Sequence, residues 1–246
     1  MDRKFSESEI DYSQSENRLV KWFRNYWYYY KWGVIVVGAF IAILAFCLAQ
    51  CATKETYDVR IMYTGPHIFE LNEKDALASA FQQIMDDYNG DGKTTVDIMD
   101  IPAFTNDQIR DAIGENPDEE MLIKYAPYTV DRVQTNFTSA ISGDGYICFV
   151  DKYWYDRLKS NNALVPLSEI LENVPEQAID EYSVYLRDLK FYEFFSDSVG
   201  KLPEDTIVCL RLMPEIASMI GRKEARAVYG YSMTLFRAMI EFNPES

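Results

Sequence analysis

The sequence has little of what nucleic-acid binding or the common catalytic sites require. It contains one histidine and four cysteines, and its acidic residues outnumber the basic ones to give a formal net charge of -15. Because binding to a phosphate backbone needs a basic face that releases counterions, this charge argues against a nucleic-acid partner. The single histidine, His67, has no serine or cysteine motif beside it that would supply a nucleophile. No enzymatic activity is therefore expected.

The four cysteines fall into two groups. Cys47 and Cys51 lie at the end of an apolar segment, whereas Cys148 and Cys209 lie in short apolar runs that look like strands. None of them has the spacing of a zinc site, and together they do not make a disulfide scaffold. Cys148 and Cys209 would bond only if their strands lay side by side in a favourable geometry. Two free, buried thiols are therefore predicted.

One uncharged run is long enough to cross a membrane. It begins at Trp32 and ends at Thr53, and at about 1.5 Å per residue a helix of this length crosses a hydrocarbon core of roughly 30 Å. The aromatic cluster that starts at Trp27, just before the run, is typical of the membrane interface. The sequence therefore predicts a single-pass protein in the lipid bilayer of the cell membrane.

Basic residues give this predicted helix an orientation. Lys21, Arg24 and Lys31 precede it closely and fewer basic residues follow it, which favours a cytoplasmic N-terminus. The predicted parts are a mostly disordered cytoplasmic tail (1–31), the transmembrane helix (32–53) and an extracytoplasmic domain (54–246).

Two other interpretations of the apolar segment fit less well. A cleaved secretory signal normally has a shorter charged lead and a clear small-residue cleavage site. Leu48-Ala49-Gln50-Cys51 looks somewhat like a bacterial lipobox, in which the cysteine carries lipid, but Gln50 stands where a small residue is usual. Lipidation of Cys51 stays open.

The domain after the apolar segment alternates strand and helix patterns. Strand patterns occur at 57–63, 94–101, 146–150 and 206–212. Helical spacing of apolar residues occurs at 73–88, 130–141 and 224–242. Asp151 can cap a further helix that carries Tyr153 and Trp154. This alternation predicts an α/β fold with a largely parallel sheet flanked by helices.

Three motifs stand in a recognisable order after the membrane segment. They are Ile141-Ser142-Gly143-Asp144-Gly145, Asn162-Ala163-Leu164-Val165-Pro166-Leu167-Ser168-Glu169 and Leu202-Pro203-Glu204-Asp205-Thr206. In this order they resemble the bacterial extracellular solute-binding proteins that serve ABC importers. The resemblance implies a periplasmic-binding-protein-like fold and a non-catalytic role in binding a small solute beside a transporter. Proteins of that family close two lobes on a solute, and this chain has room for about one lobe.

The predicted strand ends supply the candidate ligand contacts. In α/β sheets, ligands collect outside the carboxyl ends of the strands. The candidates at these positions are Tyr63, Thr64, Gly65, Pro102, Phe104, Asp151, Tyr153, Trp154 and Arg211. Aromatic rings there would either stack on a sugar or another organic solute, or pack within the protein.

One loop has the spacing of a calcium site. The residues at its donor positions are Asp87, Asn89, Asp91, Lys93 and Thr95. Its twelfth position holds Ile98, where a calcium loop has a bidentate glutamate. The same segment suits a helix-to-strand turn, because Asn-Gly and Asp-Gly tolerate positive φ. No other cofactor is predicted, and calcium is left open.

Two functions are consistent with these observations. The first is a membrane-tethered, solute-binding-like module outside the cytoplasm, accessory to a transporter. The second is a structural or regulatory domain that docks on a membrane protein and binds no small ligand. A concave, aromatic-lined pocket at the strand ends favours the first, whereas an exposed apolar patch elsewhere favours the second.

Overall fold

The computed structural model describes residues 18–52, 57–114, 117–214 and 222–245. The chain divides into two compact units, Met1–Glu55 and Thr56–Ser246, which are treated separately below. The first part of the predicted tail, residues 1–17, and the predicted end of the membrane helix, Thr53, lie outside the described residues.

The first unit contains one long apolar helix, α1 (Arg18–Ala52). Its segment Tyr26–Leu48 is exposed along its whole length and is long and apolar enough to cross a membrane. At about 1.5 Å per residue its 23 residues extend roughly 34 Å, slightly more than a hydrocarbon core. A membrane anchor and a signal sequence both meet this description. Because α1 begins before Trp32, residues 18–31 of the predicted tail are helical.

The second unit alternates strands and helices. The strands are β1 (Val59–Gly65), β2 (Val96–Pro102), β3 (Gly145–Val150), β4 (Ser183–Tyr185) and β5 (Ile207–Leu210). The helices are α2 (Leu71–Gln82), α3 (Asn106–Ile113), α4 (Glu119–Tyr125), α5 (Val130–Ala140), α6 (Lys152–Ser160), α7 (Leu167–Ile170), α8 (Lys190–Phe194), α9 (Ser196–Val199) and α10 (Arg222–Ile240). Two 3₁₀ turns lie at Ala126–Tyr128 and Leu186–Asp188.

The strands form one mixed sheet in the order β2-β1-β3-β5-β4. β1 pairs in parallel with β2 on one side and with β3 on the other. β5 pairs antiparallel with both β3 and β4. The predicted α/β layering with flanking helices is confirmed, and the sheet is mostly but not purely parallel, because β5 runs opposite to the other four strands. The sequence of a short apolar strand does not show in which direction the strand runs in the sheet. The path of the preceding chain decides that direction.

Both faces of the sheet are covered by apolar side chains. One face packs against α2 and α10 through residues such as Phe81 and Phe236, and the other packs against α5 and α6 through Phe137 and Trp154. All six residues of β3 are buried, as its wholly apolar sequence predicts. Each fully buried large apolar side chain contributes roughly 1.5–3 kcal/mol to folding.

Local capping explains where several helices begin. Asp151 precedes α6 and its carboxylate accepts a hydrogen bond from the backbone N–H of Trp154, as the sequence predicts. Thr105 precedes α3 and forms a capping box with Gln108. These two helices follow β3 and β2 directly, so both begin at the edge of the sheet where those parallel strands end.

Candidate functional site

The carboxyl ends of the three parallel strands meet at one edge of the sheet. Thr64 of β1 pairs with Ile101 of β2 and with Val150 of β3, and Gly65 pairs with Pro102. The chain then continues this pairing for one more residue, because the Asp151 N–H donates to the Thr64 carbonyl over 3.1 Å. We call the group Tyr63, Thr64, Gly65, Pro102 and Asp151 the strand-end edge.

Asp151 is the buried charged group of the strand-end edge. Only 4% of its surface is exposed, and its two oxygens accept from the Trp154 N–H at 3.1 Å and from Gln108 Nε2 at 3.0 Å. Burial raises the pKa of Asp151, although these two hydrogen bonds act in the opposite direction. The role of Gln108 could not be identified from the sequence. A polar residue on an exposed helix carries no signal that its side chain reaches Asp151 at the end of β3.

Tyr63 places a buried hydroxyl near Asp151. Its ring packs edge-on against Phe69 at 5.0 Å, and its hydroxyl proton has no acceptor among the residues that the structure describes, although the His67 backbone N–H lies close enough to the oxygen to act against the rise in its pKa. Burial, together with the negative charges of Asp151 and Asp205, raises the pKa of Tyr63, so the hydroxyl keeps its proton. It is therefore a hydrogen-bond donor under all physiological conditions.

Gly65 leaves room for that hydroxyl. A Cβ built on Gly65 would lie 2.9 Å from Tyr63 Oη and 3.2 Å from Tyr63 Cζ, so a larger residue would force the buried Tyr63 ring to shift. The hydroxyl of Thr64, which is also buried, likewise lacks a hydrogen-bond partner within the described part of the chain. Two adjacent residues at the end of β1 thus carry buried hydroxyls whose protons have no acceptor among the described residues.

Most of the aromatic candidates pack within the protein. Phe104 is held by backbone hydrogen bonds with Tyr128 and Val130, and its ring contacts Tyr125. Trp154 is fully buried, with its ring centroid 4.2 Å from that of Phe137. Tyr153 is the exposed exception at 40%. Stacking of a solute at this edge could therefore involve Tyr153, whereas Phe104 and Trp154 shape the protein itself.

Arg211 lies at the opposite edge of the sheet. It follows β5, which is antiparallel to β3, and its N–H donates to the carbonyl of Tyr146 near the beginning of β3. Its buried guanidinium donates to the carbonyl oxygens of Ile141 and Gly143 and so holds the turn before β3. The structure therefore does not bring Arg211 together with the other candidates, because the grouping assumed a parallel β5.

His67 belongs to the loop after β1. Its Nε2 lies 2.9 Å from Glu73 Oε2, and Glu73 also accepts a hydrogen bond from the Glu70 N–H at the start of α2. The histidine therefore helps to hold the loop on the helix. The expectation that the protein is not an enzyme stays a prediction.

The loop with calcium spacing is organised by its own side chains. The Asp87 carboxylate accepts from the N–H groups of Gly90 and Gly92, each over 2.7 Å, and Asn89 Oδ1 accepts from the Asp91 N–H. Gly90 and Gly92 have φ of 75° and 86°, as the turn interpretation requires. In the described ranges, no group of three or more histidine, cysteine or acidic residues is arranged to hold a metal.

Two further acidic residues, Asp58 and Asp97, form contacts near the ends of this loop. Asp58 is fully buried and its carboxylate accepts from the N–H groups of Asn89 and Thr95, which ties both ends of the loop to the start of β1. Asp97, near the end of the calcium pattern, pairs instead with Arg60 on β1. The role of Asp58 was not predicted, because a lone aspartate before a strand carries no signal of it. Calcium binding stays an untested alternative to the turn interpretation of this loop.

Comparison of the chain with family models, with curated proteins and with solved structures finds no match. The class of protein is therefore defined by the structure alone. It is an α/β domain with a mixed five-stranded sheet flanked by helices, preceded in the sequence by one apolar helix.

Proposed function

We propose that the chain is a single-pass membrane protein whose α/β domain is a non-catalytic binding module outside the cytoplasm. In this proposal the domain is similar to one lobe of a solute-binding protein and works beside a membrane partner such as a transporter. The ligand is a small polar solute that contacts the strand-end edge.

The membrane part of the proposal rests on α1. Its segment Tyr26–Leu48 combines sufficient length, a mean hydropathy of 2.3 and complete exposure, and a long exposed apolar helix in water would be strongly unfavourable. Lys21, Arg24 and Lys31 lie at its N-terminal end, which supports a cytoplasmic N-terminus under the positive-inside rule.

The binding part rests on one observation, the buried hydroxyl of Tyr63, whose proton has no acceptor among the described residues. Buried polar groups in proteins are almost always hydrogen-bonded, because leaving one unpaired costs about 1–3 kcal/mol. At the carboxyl end of a parallel strand, such a donor is suited to an acceptor on a bound solute. The nearby carboxylates of Asp151 and Asp205 disfavour an anion. A neutral or cationic solute with hydroxyl or carbonyl acceptors, such as a sugar, fits this environment.

A second function, docking on a protein, is favoured by the surface of α4. Neither α3 nor α4 contributes a buried residue to the described core, and Met121, Leu122 and Ile123 of α4 are exposed by 42%, 50% and 65%. Three consecutive exposed apolar residues are unusual on a surface that only contacts water. Under this alternative the domain binds a membrane protein and takes no small ligand.

A ligand screen with matched variants tests the first function. The full-length protein in detergent micelles is heated with millimolar sugars, amino acids and short peptides, and the melting temperature Tm is followed by tryptophan fluorescence. A ligand at about ten times its Kd stabilises the folded state by about 1.4 kcal/mol, which for a domain of this size raises Tm by roughly 3–6 °C.

The variants Tyr63→Phe and Tyr153→Phe each remove one tyrosine hydroxyl, the first at the strand-end edge and buried, the second exposed. We expect a ligand-induced rise in Tm that Tyr63→Phe reduces by at least half. Tyr153→Phe serves as the control for loss of a hydroxyl as such. If no probe shifts Tm at 10 mM, or if both variants respond as the wild type does, the binding role of the strand-end edge is refuted.

A further inference from the structure

Cys148 and Cys209 form a cross-strand pair in the middle of the sheet. β3 and β5 are antiparallel, and their register places Cys148 directly opposite Cys209. Both residues are fully buried and both carry free thiols in this structure. Residues directly opposite each other in an antiparallel pair project to the same face of the sheet. The two thiols therefore lie in the same part of the core.

The register also fixes the spacing of the pair. Arg211 donates its N–H to the Tyr146 carbonyl over 2.8 Å, so these opposed residues are a hydrogen-bonded pair. Such pairs recur at every second residue, which makes Cys148 and Cys209 a hydrogen-bonded pair as well, with an expected Cα–Cα separation of about 5.5 Å. Disulfides usually have Cα–Cα separations of about 4.4–6.8 Å. The Cα separation therefore suits a disulfide, and forming the bond requires the two Cβ atoms to approach from roughly 5.5 Å to about 3.5–4.5 Å.

The two thiols are close enough to affect each other's ionisation. Cys148 Sγ also lies 3.5 Å from the Tyr146 carbonyl oxygen, and the interaction between the two thiols lowers the pKa of Cys148 and raises that of Cys209. The remaining cysteines of the chain, Cys47 and Cys51, belong to α1, which is in the other compact unit. Within the unit Thr56–Ser246, Cys148 and Cys209 are therefore each other's cysteine partners by register.

We propose that Cys148 and Cys209 form an intramolecular disulfide in the native protein. This inference rests on the proposed location of the domain outside the cytoplasm, where disulfides form and persist. Each thiol gives up one proton and the pair gives up two electrons to an external disulfide oxidant. The reaction passes through a mixed disulfide, and the oxidant leaves as two thiols.

Because the two cysteines are buried, the disulfide must form during folding, and it then stabilises the folded state. An external oxidant cannot reach a fully buried thiol, so the mixed disulfide forms before β5 closes against β3 during folding. Once closed, the bond is protected from reductants in solution. It joins two central strands and closes a loop of about 60 residues, which strongly restricts the unfolded chain.

Refolding of the full-length protein tests the geometry independently of location. The chain is reduced and denatured in detergent, refolded with a mixture of reduced and oxidised glutathione, and then blocked with iodoacetamide under denaturing conditions. We expect peptide mapping to find Cys148 linked to Cys209, with a mass about 2 Da below that of the two free thiols. If both residues are carbamidomethylated after refolding, the inference is overturned, and the proposed function is unaffected.

Trapping the protein from its cells tests the native state. Cells are quenched with acid, and the protein is blocked with iodoacetamide without reduction and mapped in the same way. We expect the linked peptide here too. If the pair bonds on refolding but is reduced in cells, the disulfide inference is overturned, and the extracytoplasmic location of the proposed function falls with it.

Stability measurements supply a readout that does not depend on mass mapping. The variant Cys148→Val/Cys209→Val removes both thiols but keeps apolar strand residues of similar size. Both proteins are unfolded and refolded in a strong reductant, which reaches the bond only in the unfolded chain. We expect this treatment to lower Tm of the wild type by on the order of 10 °C and to leave Tm of the variant unchanged. Equal responses of the two proteins would contradict a structural disulfide.

Discussion

Gln108 on α3 donates a hydrogen bond from Nε2 to Oδ2 of Asp151, 3.0 Å away at the end of β3. The same amide accepts the Thr105 N–H through Oε1, and the other oxygen of Asp151 accepts the Trp154 N–H. The side chains of Gln108 and Asp151 therefore connect the start of the helix after β2 with the start of the helix after β3. This connection fixes the strand-end edge.

The first prediction concerns Asp151. Asp151→Ala removes the N-cap of α6 and leaves the Gln108 amide without its acceptor, so we expect the free energy of unfolding to fall by about 2–3 kcal/mol. Asp151→Asn keeps an acceptor for the Trp154 N–H and removes a buried charge, so its cost should be about half as large. Urea unfolding followed by tryptophan fluorescence measures both. Equal costs for the two variants would show that the cap contributes little.

The second prediction is a pH dependence that arises at Asp180. Burial opposes ionisation, but hydrogen bonds from Lys159, Tyr155, Tyr182 and Ser183 outweigh it and lower the pKa of Asp180 to about 2. A lowered pKa in the folded state means that the carboxylate stabilises the fold fully above its ordinary pKa near 4. This contribution is lost as the pH falls through about 2.

We therefore expect Asp180→Asn to be less stable than the wild type at pH 6, by on the order of 1 kcal/mol after allowance for solvent screening. The difference should shrink between pH 4 and pH 2, because the wild-type carboxylate becomes protonated there. Thermal unfolding of both proteins across this range provides the measurement. A difference that stays constant with pH would refute an electrostatic origin.

The third prediction separates the two interpretations of the loop after α2. Because the Asp87 carboxylate accepts from Gly90 and Gly92, Asp87→Ala should lower Tm by roughly 3–6 °C even in the presence of a chelator. We expect 1 mM calcium to leave Tm of the wild type unchanged, since position twelve of the pattern is the buried Ile98. A calcium-induced rise in Tm that Asp87→Ala abolishes would instead establish a calcium site.

The fourth prediction addresses the exposed surface of α4. Because Leu122 and Ile123 pack against little, the variant Leu122→Ser/Ile123→Ser should change Tm by no more than about 1–2 °C. If the second proposed function holds, this variant should lose chemical cross-links to membrane neighbours in cells. The matched variant Glu119→Ser/Glu120→Ser, on the same helix, should retain them. A large fall in Tm would mean that the apolar residues of α4 support the fold.

Local signals explain what the sequence predicts well. The apolar segment of α1, the wholly apolar β3 and the cap at Asp151 each depend on residues that are close together in the chain. For that reason the order of β1, α2, β2, α5, β3 and α6 follows from periodicity and capping residues.

Long-range relationships explain what the sequence does not predict. β4 has three residues, too few to show a period. The direction of β5 depends on the path of the chain after α6, and an error in that direction moves Arg211 from one edge of the sheet to the other. The contact between Gln108 and Asp151 and the pairing of Cys148 with Cys209 likewise exist only once the strands are in register.

Both the binding module and the disulfide depend on the domain lying outside the cytoplasm. Labelling of one introduced, exposed cysteine at a time in intact cells tests this most directly, because the remaining Cys148 and Cys209 are buried. Lys201→Cys, at an exposed position of the domain, and Ser6→Cys, in the N-terminal tail, are each introduced into a Cys47→Ser/Cys51→Ser background. The account predicts that a membrane-impermeant maleimide labels Lys201→Cys in intact cells and labels Ser6→Cys only after lysis. Labelling of Ser6→Cys but not of Lys201→Cys in intact cells would contradict it.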